Sequence, residues 1–356
     1  MKVHNFSAGP CILPHEVFEK AAQAVLDLDG SGLSILEISH RSKPFIEVME
    51  KARALVKELL GAPERYQVVF LGGGASMGFH LVPQNFMKTG GRGAYVNTGT
   101  WAKRAIAEAK LAGEAVVLAS SEDSNFNYIP KGYTIPADVD YFHFTSNNTI
   151  VGTQYKALPK GPVPVVSDMS SDIFSRPVNV SDFALIYAGA QKNMGPAGAT
   201  MYLFDPEALG KTGRKLSPMM DLANHAAKDS MYNTPPVFPV YVIMLTLEWL
   251  RGIGGIAEIE KRNAAKAGLL YDTIDRLPLF EGTAAKEDRS LMNATFVLKD
   301  KNLEPAFDEL WKAAGISGIR GHRSVGGYRA SLYNALPLES VRVLTDVMED
   351  FAKRNG

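Results

Sequence analysis

Between Gln67 and Phe204, short apolar runs of strand length alternate with longer runs of helical periodicity, and this alternation restricts the fold more than any other feature. The strand-type runs are Gln67 to Leu71, Gly93 to Asn97, Ala115 to Ala119, Tyr141 to Thr145, Val163 to Ser167, Phe183 to Ala188 and Thr200 to Phe204. Among them, Met77 to Phe86 and Trp101 to Ala112 carry apolar residues at helical spacing. Strands interrupted by helices point to a parallel sheet with helices over its faces. The strands are apolar throughout rather than alternating, as expected when both faces are covered.

The flanks extend this plan. Pro14 to Leu28 reads as an entry helix stopped by Gly30 and Gly32, and Pro44 to Leu60 as an amphipathic helix ending at Gly61. A long helical pattern from Val237 to Leu277 breaks near Gly252 to Gly255. Beyond it, Leu291 to Leu298 and Tyr328 to Asn334 read as strands, and Leu303 to Ala314 and Leu338 to Ala352 as helices. A chain of 356 residues exceeds what one hydrophobic core usually holds. The expectation is α/β: a large domain over 15–255 with a mostly parallel sheet between helices, a smaller α+β C-terminal domain over 256–356, and an N-terminal arm over 1–14.

Charge and cysteine usage narrow the function classes. Basic and acidic side chains number 38 each, so the chain offers no general attraction for nucleic acid or an anionic membrane. Its single cysteine, Cys11, excludes an intramolecular disulfide and a multi-cysteine metal site, and fits a reducing compartment. Met1 to Pro10 lacks the pattern of a secretory signal, and no apolar run approaches membrane-spanning length. A cytoplasmic protein without a metal, a nucleic-acid partner or a membrane is expected.

Two polar strand ends carry the chemistry. Val165-Val166-Ser167 runs into Asp168, and Leu185 to Ala188 runs into Gly189-Ala190-Gln191-Lys192. Ligands of open parallel sheets gather outside the carboxyl ends of the strands, so Asp168 and Lys192 can meet in one crevice. A pyridoxal-phosphate (PLP) enzyme needs such a pair: a lysine that carries the cofactor as a Schiff base and shuttles a proton, and an aspartate that keeps the ring nitrogen protonated. A lone lysine after a strand is usually a solvated loop charge, so the pair requires context. Val69 to Ser76 supplies it as a strand, a glycine turn and a helix start, where free N–H groups bind phosphate. This turn matches neither the nucleotide-hydrolase loop nor the dinucleotide fingerprint. Trp101 opens the helix after another strand and reads equally as a core residue or as a plate against a planar ring. Two His-Arg pairs, His40-Arg41 and His322-Arg323, lie in loop segments, with Arg329 nearby. Loop arginines mostly face solvent, but guanidinium forks also suit a substrate with two acidic ends.

With these residues in hand the chain resembles the phosphoserine aminotransferases, a family within class V of the fold-type-I PLP enzymes. The likeness runs through Asn5 to Pro10, Ser39 to Lys43, the glycine turn, Ser170 to Pro177, Ala190 to Gly198, Asn233 to Pro236 and Gly321 to Arg323. It implies that Lys192 carries PLP, Asp168 pairs with the ring nitrogen, Trp101 stacks on the ring and Thr149 meets the phenolic oxygen. It further implies that Ala75, Ser76 and Gln191 hold the cofactor phosphate, together with Asn233 and Thr234 from the neighbouring subunit of a homodimer with shared active sites. For substrate it implies Arg329 at the α-carboxylate, and Ser7, His40, Arg41, His322 and Arg323 around the distal acid, some across the dimer. Some members carry an arginine where this chain has Ser76, which shifts the distal work to the remaining His and Arg residues.

The implied reaction passes an amino group from L-glutamate to a phosphorylated 2-oxo acid, 3-phosphohydroxypyruvate, giving O-phospho-L-serine for serine biosynthesis. The same chemistry on 3-hydroxy-4-phosphonooxy-2-oxobutanoate, in vitamin B6 biosynthesis, is the nearest rival. A non-catalytic PLP-binding protein is a second, although Lys192 and Asp168 are both retained. A cysteine desulfurase needs a mobile catalytic thiol, and Cys11 in the arm is a poor candidate.

Overall fold

Residues 3–355 are described by a computed structural model; Met1, Lys2 and Gly356, the outermost residues of the expected arm and small domain, lie outside the described residues. In chain order the principal elements are α1 (His15–Leu26), α2 (Lys43–Leu60), β1 (Gln67–Leu71), α3 (Gly74–Phe86), β2 (Arg92–Asn97), α4 (Thr100–Ala112) and β3 (Glu114–Ser120). They continue with β4 (Tyr141–Thr145), β5 (Val165–Asp168), β6 (Leu185–Gly189), β7 (Thr200–Phe204), α5 (Leu222–Ala227), α6 (Val237–Gly252) and α7 (Gly255–Arg276). The C-terminal part adds β8 (Phe280–Gly282), β9 (Asn293–Leu298), α8 (Glu304–Ala313), β10 (Tyr328–Ser331) and α9 (Leu338–Asn355).

The seven strands β1 to β7 form one sheet in the order β1-β7-β6-β5-β4-β2-β3. Neighbours pair in parallel from β6 through β5, β4 and β2 to β3, while β7 runs antiparallel to both β6 and β1. Both faces are covered. On one, α1, α2 and α6 bury Val17, Met49, Val56 and Ile243 against sheet residues such as Phe70, Phe142 and Ile186. On the other, α3 and α4 bury Phe79, Val82 and Ile106 against Val69, Tyr95 and Tyr187. Removing such a buried Leu, Ile or Phe to Ala costs about 2–5 kcal/mol, which is what makes the frame rigid. Helix α3 lies so close to β6 that a Cβ on Gly78 would come 2.6 Å from the Tyr187 ring. That contact fixes where the N-terminus of α3 ends up above the sheet.

Helix α2 stops at Gly61, whose left-handed φ of 58° lets its N–H reach the carbonyls of Glu58 and Lys57. The long helical pattern breaks as its glycines suggest: Gly254 and Gly255 adopt φ of 111° and 68°, and α6 and α7 meet at 83°. Among the described residues, no single helix is long and apolar enough to cross a membrane.

A separate apolar cluster joins α7, α8 and α9 to the three-stranded sheet β8-β9-β10, with Phe280, Phe296, Phe307 and Phe351 at its centre. Phe6 belongs to it, and His4–Asn5 pair in parallel with Ile316–Ser317, so the start of the chain is tied to this unit. The strand expected over Tyr328 to Asn334 ends at Ser331. Past that point the chain turns to other partners: Leu332 N–H to the Met292 carbonyl at 2.7 Å, and Asn334 N–H to Asn193 Oδ1 at 3.0 Å.

Candidate active site

The site lies beyond the carboxyl ends of the parallel strands. At the end of β1 the chain turns through Gly72-Gly73-Gly74 into α3. Gly73 caps the helix with φ of 97°, and a Cβ there would sit 2.6 Å from Met77 Cβ, so glycine is required twice over. The first N–H groups of a helix have no carbonyl one turn back, and Gly74, Ala75 and Ser76 border a cavity of about 300 Å³. The turn therefore offers donors and a positive helix end to an anion.

Strand β5 delivers Asp168 to the same cavity, where it is buried. Ser170 holds it from below: its N–H and its hydroxyl donate to Asp168 Oδ1 at 2.9 and 2.6 Å. Burial nonetheless pushes the carboxyl above the usual carboxylate range, against the Ser170 hydrogen bonds and the charge of Lys192.

Strand β6 ends at Gly189, and the next turn is pinned by its own backbone, with Lys192 N–H and Gly195 N–H both on the Ala190 carbonyl at 2.7 and 2.9 Å. This presents Lys192, whose Nζ donates to Thr149 Oγ1 at 2.8 Å and stands 6.0 Å from the centre of the Trp101 ring. Enclosure of the amine lowers it to about 8; Asp168 pulls upward and Arg329 pushes down. Behind the turn, Cys11 Sγ donates to the Lys192 carbonyl at 2.6 Å, and burial drives its thiol up to about 12. A thiol held un-ionised as a backbone prop is the opposite of a desulfurase nucleophile.

Trp101 sits in the first turn of α4, its indole Nε1 buried without a hydrogen-bond partner. Arg329, on β10, lines the cavity with His322; its Nη1 is 3.4 Å from the Thr149 carbonyl and its Nε is buried and unpartnered. A larger cavity of about 570 Å³ shares Ile150 and Arg329 with this one and opens between Ser124–Asn127 and the 321–328 loop. That loop is tight: a Cβ on Gly321 would overlap the Gly326 carbonyl.

One cavity thus brings together Ala75, Ser76, Trp101, Thr149, Asp168, Gln191, Lys192, His322 and Arg329. Arg323 adjoins, close enough for its charge to act on His322. Asn233 and Thr234 do not line it; they border a separate cavity of about 160 Å³ beside Met77 and His225. Ser7, His40 and Arg41 do not line it either. The Ser7 N–H donates to Asn5 Oδ1 at 3.0 Å, the Arg41 N–H to Ser39 Oγ at 3.2 Å, and His40 Nε2 is buried without a partner.

Ser170 and Asn147 escaped the reading of the sequence. Asn147 donates from Nδ2 to Ser171 Oγ and Asn293 Oδ1, both at 2.8 Å, and so joins the cavity floor to β9. For Ser170 a signal exists, since a serine two places after a strand-end aspartate favours a local side-chain turn. Nothing marks Asn147, whose partners lie far along the chain.

These groups fit pyridoxal phosphate. The α3 terminus suits its phosphate, the buried carboxyl of Asp168 gains from a cationic ring nitrogen, and the Lys192 amine suits its aldehyde.

Comparison with known proteins agrees with this chemistry. The family described as aminotransferase class-V matches residues 3–344. A phosphoserine aminotransferase of Flavobacterium psychrophilum is 63% identical over 99% of this chain and 100% of its own length. The solved phosphoserine aminotransferase from Bacillus circulans subsp. alkalophilus is 43% identical, covers 100% of this chain and 99% of its own, and superposes with a TM-score of 0.97. A PLP-bound phosphoserine aminotransferase from Trichomonas vaginalis is 33% identical over 98% of this chain and 100% of its own, with a TM-score of 0.93. The chain belongs to the class-V aminotransferases, with the phosphoserine aminotransferases among its relatives.

Proposed function

We propose that this chain transfers an amino group from L-glutamate to 3-phosphohydroxypyruvate, releasing 2-oxoglutarate and O-phospho-L-serine, the reaction that the names of its relatives denote. The observation that carries the reading is the meeting in one cavity of the Lys192 amine, the buried Asp168 carboxyl and the free N–H groups that open α3. Pyridoxal phosphate, when bound, supplies an aldehyde for the amine and a ring that draws electrons from the substrate Cα. Ala75, Ser76 and Gln191 would hold its phosphate, Trp101 its ring face, Thr149 its phenolic oxygen and Asp168 its ring nitrogen.

The remaining work falls to this chain's side chains. Lys192 Nζ takes the proton from the donor's Cα and would pass it on to the cofactor's aldehyde-derived carbon, and in the second half-reaction it delivers a proton to the acceptor's Cα; an amine lowered to about 8 is un-ionised in a useful fraction near neutral pH. Arg329 receives the α-carboxylate. Its contact with the Thr149 carbonyl, on the residue whose hydroxyl holds Lys192, sets the anchored end of the substrate beside that amine. The distal acid, a γ-carboxylate in one half-reaction and a phosphate in the other, falls to Ser7, His40, Arg41, His322 and Arg323.

The active unit is a homodimer in this reading, because Asn233, Thr234, His40 and Arg41 stay away from the cavity of their own chain and would act from the partner subunit. We read the chain as an arm over 1–14, a large domain over 15–255 and a small domain over 256–356; two apolar clusters support two units, although Leu13 and Ile259 pack into the first cluster and Phe6 into the second. A single cysteine fits a reducing compartment such as the cytoplasm.

Addition of L-glutamate to the holoenzyme should convert the aldehyde form of the cofactor to its amine form, followed by absorbance. Lys192→Ala should slow this by about 10³-fold or more, as expected when a proton-transfer group and covalent anchor is lost. Full turnover by Lys192→Ala would end the proposal. Steady-state comparison of 3-phosphohydroxypyruvate with 3-hydroxy-4-phosphonooxy-2-oxobutanoate assigns the acceptor.

A further inference from the structure

The arginines of this chain divide sharply by partner. Arg53, Arg65, Arg92, Arg176, Arg251, Arg262, Arg276, Arg289, Arg320, Arg342 and Arg354 each have a carboxylate within salt-bridge reach. Arg214 uses its guanidinium on the carbonyls of Met87, Lys88 and Ala112. Among the described residues, four are left without a carboxylate or such a set of carbonyls: Arg41, Arg323, Arg329 and Arg104. The first three are already assigned to the acidic groups of the substrate. Arg104 is assigned to nothing.

Its position singles it out further. Arg104 stands one turn after Trp101 on the same face of α4, and its guanidinium carbon lies 5.0 Å from the centre of the Trp101 ring. Trp101 itself lines the cavity together with His322 and Arg329. The neighbouring cation on α4, Lys103, points elsewhere and is neutralised by Glu122. Arg104 is close enough to His322 for its charge, added to burial and to those of Arg329 and Arg323, to lower that imidazole. An exposed guanidinium lying over an indole retains N–H donors that match the oxygens of a phosphate.

We propose that Arg104 is a specificity-determining residue that engages the phosphate of the acceptor substrate from the mouth of the cavity. The inference rests on the aminotransferase reading above and adds to it which cation favours a phosphate over a carboxylate. A phosphate brings a second negative charge and three acceptor oxygens, whereas the γ-carboxylate of glutamate is served by the other cations of the site.

The test uses holoenzyme and the variants Arg104→Gln and Arg104→Lys, with each half-reaction followed separately. In Arg104→Gln, kcat/KM for 3-phosphohydroxypyruvate should fall about ten-fold, mainly through KM, the size of one lost charge-assisted hydrogen bond. Inhibition by inorganic phosphate should weaken in parallel. The L-glutamate half-reaction should stay within about two-fold of wild type, since uniform binding of the carboxylate does not run through this side chain. Arg104→Lys should recover most of the phosphate effect. Equal losses in both half-reactions would mean that Arg104 merely steadies Trp101, and no change in either would mean that it faces solvent; both overturn the proposal. A wild-type enzyme that converts with glutamate yet accepts neither phosphorylated 2-oxo acid would instead refute the functional reading, and the proposal with it.

Discussion

Ser170→Ala isolates what the floor of the site does for its carboxylate. The hydroxyl is shared between two jobs: it donates to Asp168 Oδ1 at 2.6 Å and accepts from the Gly189 N–H at 3.0 Å. Loss of a hydrogen bond to a charged group costs about 1.5–3 kcal/mol, and a buried N–H left facing a methyl costs about 1–3 kcal/mol. The first loss acts on protonation. It raises the Asp168 carboxyl further, on top of the rise that burial already imposes. The second acts on folding, because Gly189 ends β6 and leads into the Lys192 turn. The sign follows: a carboxyl raised further is protonated over a wider acid range, so the ring nitrogen loses its anionic partner as pH falls. The pH profile of kcat should therefore lose its acid side, with activity at low pH dropping about ten-fold or more and activity at high pH recovering toward wild type. Titration of the bound cofactor's absorbance in Ser170→Ala reads the same shift directly. A variant that melts earlier but keeps the wild-type pH profile would refute the reasoning and reduce Ser170 to a structural prop.

Gly73→Ala forces a methyl to within 2.6 Å of Met77 Cβ at a φ of 97°, so the first turn of α3 must move. Cofactor affinity, measured by fluorescence titration, should fall about ten-fold or more as the phosphate donors shift. Lys266 is buried on α7 and donates to the carbonyls of Leu332 and Tyr333 at 2.8 and 2.7 Å, and burial lowers it to about 7. Its folded pKa lies below its unfolded value, so charge is disfavoured in the fold; the unfolding free energy should rise from pH 7 toward pH 10 by a few kcal/mol at most, and Lys266→Met should abolish that rise. If Arg41 acts across the dimer, mixing two dead variants, Lys192→Ala and Arg41→Ala, creates one intact site per mixed dimer. Random assortment should restore about one quarter of wild-type activity, whereas an Arg41 acting within its own chain gives none.

The parts of this molecule that the sequence spells out are those decided by local pattern. The β1 to β7 run is apolar and evenly punctuated, and Gly61 and Gly254 mark helix ends that no other residue takes so readily. Lys192 and Asp168 were placed by a rule about strand ends rather than by contact, and the sheet order β6-β5 brings their strands side by side. What stayed hidden depends on side chains meeting across long separations. Asn147 reaches Asn293, and the Tyr333 hydroxyl reaches the Ala8 carbonyl at 2.8 Å, pairings that no periodicity announces. The strand end at Ser331 was overrun for the same reason: Leu332 to Asn334 look like more strand, but their polar groups are claimed by other parts of the chain. Arg104 is a third kind of omission. Its surroundings in the sequence, Ala102-Lys103-Arg104, look like an ordinary solvated helix face, and only the missing carboxylate sets it apart.

The buried carboxyl and the half-buried amine of the site are pushed toward neutrality from opposite directions. Asp168 is raised because its charge lacks water, and Lys192 is lowered to about 8 for the same reason. Each is the other's main favourable charge, yet the backbone keeps them on separate strand ends and gives each a neutral partner, Ser170 for one and Thr149 for the other. A direct ion pair would have satisfied both and left a site with nothing to offer. Held apart, the carboxyl stands to gain from a cation arriving beside it, and the amine gives up its proton more readily than a free lysine. A ligand with a basic ring nitrogen and an electrophilic carbon answers both demands at once, and in the proposed reaction the Arg329 guanidinium would receive an acidic group of its partner.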